Sequence, residues 1–509
     1  MLIQEYLKNS AEIFPDKAAI IQAGRETTYG EILQQARSVS QWLINRNLQP
    51  GDRVAILIDD PSEYVIAYFS ILLAGGIVVA LNTQTSSRTL KYILNDCRIS
   101  IALTHIKFTK YIRECADELP DLRLLVLLGY KKDLLLDLPF TCADLKEAQE
   151  FSPQNDMSDQ AFSDLDISQI IYTSGTTSKP KGVMLRHSNL AANTRSIIKY
   201  LKLDPDERHM VVLPFFYSFG NSVLLTHFAV GATLVVHQSF LYPKIVLDMM
   251  VNQKVTGLSG VPSTYAILFN RSPIRDYTFP QLRYLAQAGG AMSPKLAMEL
   301  KSLLPNVDIY IMYGQTEACA RLSYLHPCDL LRKSGSIGKA IPEVTLQVLD
   351  KQGVPVKIGE TGEIVARGKN IMAGYLNDPI KTKQILKEEG LWTGDLARID
   401  EEGFLYIISR KNEMIKSGAH RIGPKEIEEV ILEHDAVHEV AVLGIEDTIL
   451  GETIKAAIVL NTNAVCTKKN ILVHCRKNLP AYKVPRQITF YDQLPKTASG
   501  KVKKNELKV

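Results

Sequence analysis

Tyr172-Thr173-Ser174-Gly175-Thr176-Thr177-Ser178-Lys179-Pro180-Lys181-Gly182 gathers five Ser or Thr hydroxyls, two glycines and two lysines into one short stretch. Backbone N–H groups, hydroxyl donors and cations held together in one turn suit a polyphosphate. The spacing is not G-x-x-x-x-G-K-[ST], so the Walker reading and its NTPase chemistry do not follow. An ordinary polar turn is the alternative, since Ser, Thr, Gly and Pro are common turn residues. The density of donors over the whole stretch favours the phosphate reading.

Further motifs lie outward from this loop, in a fixed order. They are Gly289-Gly290-Ala291, Tyr313-Gly314-Gln315-Thr316-Glu317, Trp392-Thr393-Gly394-Asp395, Ser409-Arg410, Ile415-Lys416-Ser417-Gly418, and Pro495-Lys496-Thr497-Ala498-Ser499-Gly500-Lys501. Together with the loop they resemble the adenylate-forming superfamily of acyl-CoA synthetases, peptide-synthetase adenylation domains and luciferase. The resemblance is nearest to stand-alone AMP-forming acyl- or aryl-CoA ligases and spans almost the whole chain.

The resemblance implies an ATP site. Thr173, Ser174, Gly175, Thr176, Thr177 and Lys181 would hold phosphates. Gly289, Gly290 and Ala291 would let backbone approach a purine on which Tyr313 stacks, with Gly314 and Gln315 alongside. Thr316 would contact the α-phosphate and Glu317 would hold Mg²⁺, a cation that prefers oxygen ligands. Asp395 would accept hydrogen bonds from the ribose hydroxyls, with Arg410 adding a charge-assisted bond. Lys501 would reach the α-phosphate as a mobile point charge during acyl transfer. Taken singly, the Thr-Gly-Asp segment reads as a turn and Lys501, with Lys503 and Lys504, as a solvated basic tail.

In the implied reaction a carboxylate attacks the α-phosphorus of MgATP, giving an acyl adenylate and pyrophosphate, and a thiol then displaces AMP. Positioning and charge neutralisation supply the catalysis. The resemblance implies that a small domain rotates between the steps about a hinge at Asn412, where the family usually has Asp or Lys. Rotation would withdraw Lys501 and bring Lys416 and Gly418 to the thiol tunnel. Ser178 departs from the family's usual Gly; at a positive φ it would cost about 1 kcal/mol.

Tyr217, Ser218 and Gly220, within Pro214–Asn221, are the acyl-site candidates by resemblance. Amino-acid-activating relatives carry Asp where this chain has Tyr217, and an unpaired buried ammonium would cost several kcal/mol. An α-amino acid is therefore disfavoured, and a medium-chain or aromatic carboxylic acid is expected. Phe219 reads as a core aromatic. The acceptor is expected from outside the chain: coenzyme A first, a separate acyl carrier protein second. A luciferase-type monooxygenase and a nucleotide-binding module without catalysis are the rival readings.

Composition agrees with a globular enzyme. Of 509 residues 46% are hydrophobic and 22% charged, and a net charge of +4 is too small for a nucleic-acid footprint. Seven cysteines (97, 115, 142, 319, 328, 466 and 475) show neither C-x-x-C nor zinc spacing, which points to a reducing, cytoplasmic setting. No secretory signal is expected from the first residues. Val211 to Val236 contains only His227 as a group that titrates near neutral pH, but Pro214, Gly220, Asn221, Gly231 and several polar residues interrupt it, so strand–turn–helix–strand is read there rather than a membrane span. A homodimer is compatible with this reading.

Apolar runs at 53–58, 101–104, 124–128, 211–213, 233–236 and 309–312 alternate with helical stretches such as 62–74, which predicts stacked α/β units with parallel sheets. After residue 409 the pattern changes. Pro424 opens a helix with Ile427, Val430 and Ile431 on one face, and strands at 440–443, 455–460 and 488–491 flank a helix at 468–478. The expected fold is α/β, with a large N-terminal domain of stacked subdomains at 1–409 and a small mobile α+β lid domain at 410–509.

Overall fold

Short runs of wholly buried residues, such as Thr233–Val236 and Tyr284–Gln287, become inner strands of parallel sheets, where both faces are covered. The computed structural model describes residues 1–134, 137–152, 162–173, 180–237, 239–240, 242–411, 413–417, 420–448, 450–496 and 502–508. A nine-stranded sheet runs in the order 339–340, 323–325, 308–313, 284–287, 257–260, 208–211, 233–236, 18–22, 25–28. Its inner strands pair in parallel, from Ala18–Gln22 through Asp308–Tyr313. An eight-stranded sheet has the order 374–375, 181–186, 167–173, 77–80, 53–57, 101–105, 124–128, 141–144 and is likewise parallel except at the 181–186 end.

Helices Pro61–Leu73 and Ser218–Val230 share one core with strands of both sheets. Asp60 caps the first through the N–H groups of Ser62 and Glu63, and Pro61 occupies the first helical position, where no donor is lost. Phe69 and Phe228 meet between the two helices with ring centroids 5.4 Å apart. Leu224 is fully buried in the same core, so Leu224→Ala should cost about 2–5 kcal/mol. The apolar 211–236 stretch forms a strand ending at Val211, this helix, and the strand Thr233–Val236.

A third sheet is antiparallel: Val344–Leu349, Gly362–Gly368, Gly390–Ile399 and Leu386–Lys387 in order, with Leu405–Arg410 paired to Gly390–Ile399. The sequence reading missed it as a sheet, because strands such as Val344–Leu349 and Gly390–Ile399 interleave exposed or half-buried positions with buried ones, and only Gly362–Gly368 holds a long buried run. This sheet carries Asp395 and Arg410 directly opposite each other.

The fourth sheet starts at Ile415 and is formed by 420–422, 415–417, 451–460 and 437–447, with 487–490 paired to 451–460. Ile427 and Ile431 of helix Pro424–Leu432 join Val442, Ile458, Ile471 and Cys475 in its core, while Val430 packs at the margin. The strands expected at 440–443 and 455–460 are parts of one long hairpin, Val437–Asp447 with Gly451–Leu460. Its polar ends concealed its length. No helix among the described residues is long and apolar enough to cross a membrane.

Candidate active site

Strands Ile167–Thr173 and Lys181–Arg186 form an antiparallel pair in which Thr173 faces Lys181 and Tyr172 faces Gly182. Ser174, Gly175, Thr176, Thr177 and Ser178, which connect them, lie outside the described residues. The entering strand is tied down at Tyr172, whose hydroxyl donates to Asp96 at 2.5 Å. On the leaving strand, the Lys181 ammonium lies 4.8 Å from the centroid of the Tyr375 ring. The Tyr375 hydroxyl donates in turn to Glu317 Oε1 at 2.7 Å.

Glu317 lies in the short turn Thr316–Ala318 that ends strand Asp308–Tyr313. Close packing shapes this turn. A Cβ on Gly314 would stand 2.0 Å from the Ala320 carbonyl oxygen, so only glycine fits, and Cys319 and Ala320 carry positive φ (54° and 91°). The Gln315 carbonyl accepts from Ala318 and Ala320, and the Tyr313 carbonyl accepts from Leu322. Thr316 Oγ1 and Ser218 Oγ are 3.3 Å apart, which joins this turn to the first residue of helix Ser218–Val230.

Tyr313 is buried and donates its hydroxyl to Asp395 Oδ2 at 2.7 Å. Arg410 Nε meets Asp395 Oδ1 at 3.1 Å. Both oxygens of Asp395 are thereby engaged, each keeping a lone pair for a further donor. Burial, then the neighbouring Asp395 charge, pushes the Tyr313 phenol far up, so it stays a donor. The charge of Asp395 outweighs burial at Arg410 and raises its pKa further. Glu363 supports the corner by accepting from the Gly394 N–H at 3.0 Å and pairing with Lys411. Gly289, Gly290 and Ala291 are exposed, and the Gly290 carbonyl is held by Gln287 Nε2 at 2.8 Å.

Tyr217 precedes helix Ser218–Val230, and its hydroxyl accepts from Asn82 Nδ2 at 3.2 Å. Burial pushes this phenol up to about 12. Gly220 has a packing reason of its own: a Cβ there would lie 2.0 Å from the Pro214 carbonyl oxygen. Phe219 is half-buried and carries the Arg321 guanidinium 3.9 Å above its ring.

Asn412, Gly418 and Lys501 also lie outside the described residues. Lys416 sits in strand Ile415–Ser417 opposite Arg421. Lys496 and Val502, which flank 497–501, form an isolated bridge, and Lys504 pairs with Glu413 at 3.2 Å and Glu428 at 2.8 Å. The structure thus brings Lys181, Glu317 and Thr316 to one corner, and Tyr313, Asp395 and Arg410 to another. Sequence reading missed Tyr375, Asn82 and Asp96. Tyr375 stands in the Gly374-Tyr375 pair, and no local pattern there announces a partner 58 residues away.

The residues fit a magnesium–nucleotide site by the chemistry of their donors. Glu317 Oε2 has no protein partner among the described residues, and no group of three or more His, Cys, Asp or Glu that could hold a metal occurs among them. Mg²⁺ characteristically takes one or two carboxylates and completes its shell with water and substrate phosphates.

The AMP-binding enzyme family matches residues 7–376, and the AMP-binding enzyme C-terminal domain matches 426–501. The chain is 30% identical to a long-chain-fatty-acid–CoA ligase of Bacillus subtilis (strain 168), covering 99% of this chain and 94% of that one. It is 31% identical to a 2-succinylbenzoate–CoA ligase of Bacillus cereus, covering 99% and 97%. Among solved structures, the anthranilate CoA ligase AuaEII in complex with anthranoyl-AMP superposes with a TM-score of 0.91 at 27% identity, covering 100% of this chain and 96% of that one. The o-succinylbenzoate CoA synthetase of Bacillus subtilis with its acyl-adenylate intermediate gives 0.85 at 28%, covering 99% and 98%. With two family domains in order and full-length relatives, this chain belongs to the AMP-binding enzyme family.

Proposed function

We propose that this chain is an AMP-forming carboxylic acid–CoA ligase that activates a medium-chain or aromatic acid. The observation that carries the reading is the meeting of Lys181, Glu317 and Thr316 at one corner while Asp395, with Arg410 and Tyr313, forms the other. In this reading Lys181 and the loop it follows neutralise the phosphates, Thr316 orients the α-phosphate, and Asp395 accepts from the ribose. Glu317 would hold Mg²⁺, which when bound neutralises charge on the phosphates. The acid's carboxylate would then attack the α-phosphorus and displace pyrophosphate, with Lys501 stabilising the charge that develops there.

Tyr217 offers no anion for a substrate ammonium, and its hydroxyl is already shared with Asn82, which supports an acid without an α-amino group. Relatives named for anthranilate and 2-succinylbenzoate support an aromatic acid. Relatives named as CoA ligases support coenzyme A as acceptor, with a separate carrier protein second. Cytoplasmic placement belongs to the same reading. So do the division into 1–409 and 410–509, the hinge at Asn412, and the exchange of Lys501 for Lys416 and Gly418 between half-reactions.

The test separates the half-reactions. Acyl adenylate formation is followed by pyrophosphate release, and thioester formation from supplied acyl adenylate by mass spectrometry with coenzyme A or a carrier protein. Lys501→Ala should nearly eliminate the first, and Lys416→Ala should mainly slow the second. Equal impairment of both steps by each substitution contradicts the exchange.

A further inference from the structure

The strap 372–376 touches both charged groups of the phosphate corner. The Met372 N–H donates to the Glu317 carbonyl at 2.9 Å, Ala373 N–H to the Met184 carbonyl at 2.9 Å, and Leu376 N–H to the Gly182 carbonyl at 2.8 Å. The strap is therefore fastened to the turn bearing Glu317 and to the strand that begins at Lys181. Tyr375 is fixed within it, because its N–H donates to Thr382 Oγ1 at 2.9 Å and the residue is only 7% exposed. Its hydroxyl holds one carboxylate oxygen of Glu317, and its ring faces the Lys181 ammonium.

We propose that Tyr375 is a positioning residue for the divalent cation: its hydroxyl fixes the Glu317 carboxylate while its ring seats Lys181, so one side chain sets two charges that meet the phosphates. The proposal rests on the reading of Glu317 given above. A carboxylate anchored through Oε1 presents Oε2 in one orientation, and partners of this kind orient metal ligands and tune their basicity. The alternative is a buried tyrosine that merely satisfies its hydroxyl with the nearest acceptor.

Tyr375→Phe distinguishes the two, because it keeps the ring under Lys181 and removes only the oxygen. Binding of Mn²⁺ would be measured by electron paramagnetic resonance in the presence of non-hydrolysable α,β-methylene ATP, with Glu317→Gln in parallel. Mg²⁺ dependence of acid-driven pyrophosphate release is the second readout. Tyr375→Phe should weaken metal binding about tenfold. Saturating Mg²⁺ should restore most of the turnover, while the melting midpoint and thioester formation from supplied acyl adenylate stay at wild-type values. If Glu317→Gln lowers metal binding and Tyr375→Phe does not, the positioning role is overturned and the reading of Glu317 survives. If Glu317→Gln itself binds Mn²⁺ like the wild type, that reading falls and the proposal with it.

Discussion

Asp395 has both oxygens engaged, one by Tyr313 and one by Arg410, whereas Glu317 is held at one oxygen only and Lys181 faces a ring instead of a carboxylate. The first corner is electrically complete before any ligand arrives. The second is not. That difference suits the proposed ligands: ribose is neutral and asks only for oriented acceptors, while phosphates and their cation bring charges that the protein has to meet. A complete corner should show its value in folding, and an incomplete one in catalysis.

The largest expected effect lies at the phosphate end. On the role proposed for Lys501, Lys501→Ala should lower acyl adenylate formation about 10²–10³-fold, with little change in thermal midpoint. A large loss of stability instead would show that the two ends do not divide in this way.

Acid separates both corners from the core beneath them. His209 and His227 are fully buried with ring centroids 4.4 Å apart, and His209 Nδ1 and Tyr284 Oη are 2.9 Å apart. Burial lowers the His227 pKa to about 4 and that of His209 well below its usual value. A folded pKa below the unfolded one means the neutral imidazole stabilises the fold fully above pH 6.5. That stability declines as pH falls toward 4, by on the order of 3 kcal/mol for His227 alone. Thermal melts across this window should show the decline, and His227→Gln should flatten it. A midpoint that does not move between pH 6.5 and 4 contradicts the assignment.

Asp395→Ala should destabilise the chain by about 1–3 kcal/mol in urea unfolding, because it leaves the buried Tyr313 hydroxyl and the Arg410 guanidinium without their acceptor. Glu317→Gln should be the smallest, within about 0.5 kcal/mol, since an amide can still accept from Tyr375. Reversal of that order would break the comparison between the corners.

How much of this could be read from residues alone follows the range of the signal. Buried runs such as Thr233–Val236 and helix starts such as Pro424 are local, and they marked the α/β character and the small C-terminal unit. The antiparallel sheet bearing Asp395 is not local in this sense, because strands such as Gly390–Ile399 and Leu405–Arg410 are partly exposed and find their partners through register. In the site, the ordered motifs pointed to Thr316, Glu317, Asp395 and Arg410. The reason for Gly220 and Gly314 is an approach to a carbonyl oxygen from outside their own segment's regular structure, visible only once the chain is folded. Tyr375 was silent for the same reason.

The central claim is most directly tested by ATP–pyrophosphate exchange with the purified chain across medium-chain and aromatic carboxylic acids in the presence of Mg²⁺. Exchange should depend on one of these acids and should fall at least about tenfold in Glu317→Gln. Exchange with none of the acids, or undiminished exchange in that variant, contradicts the account.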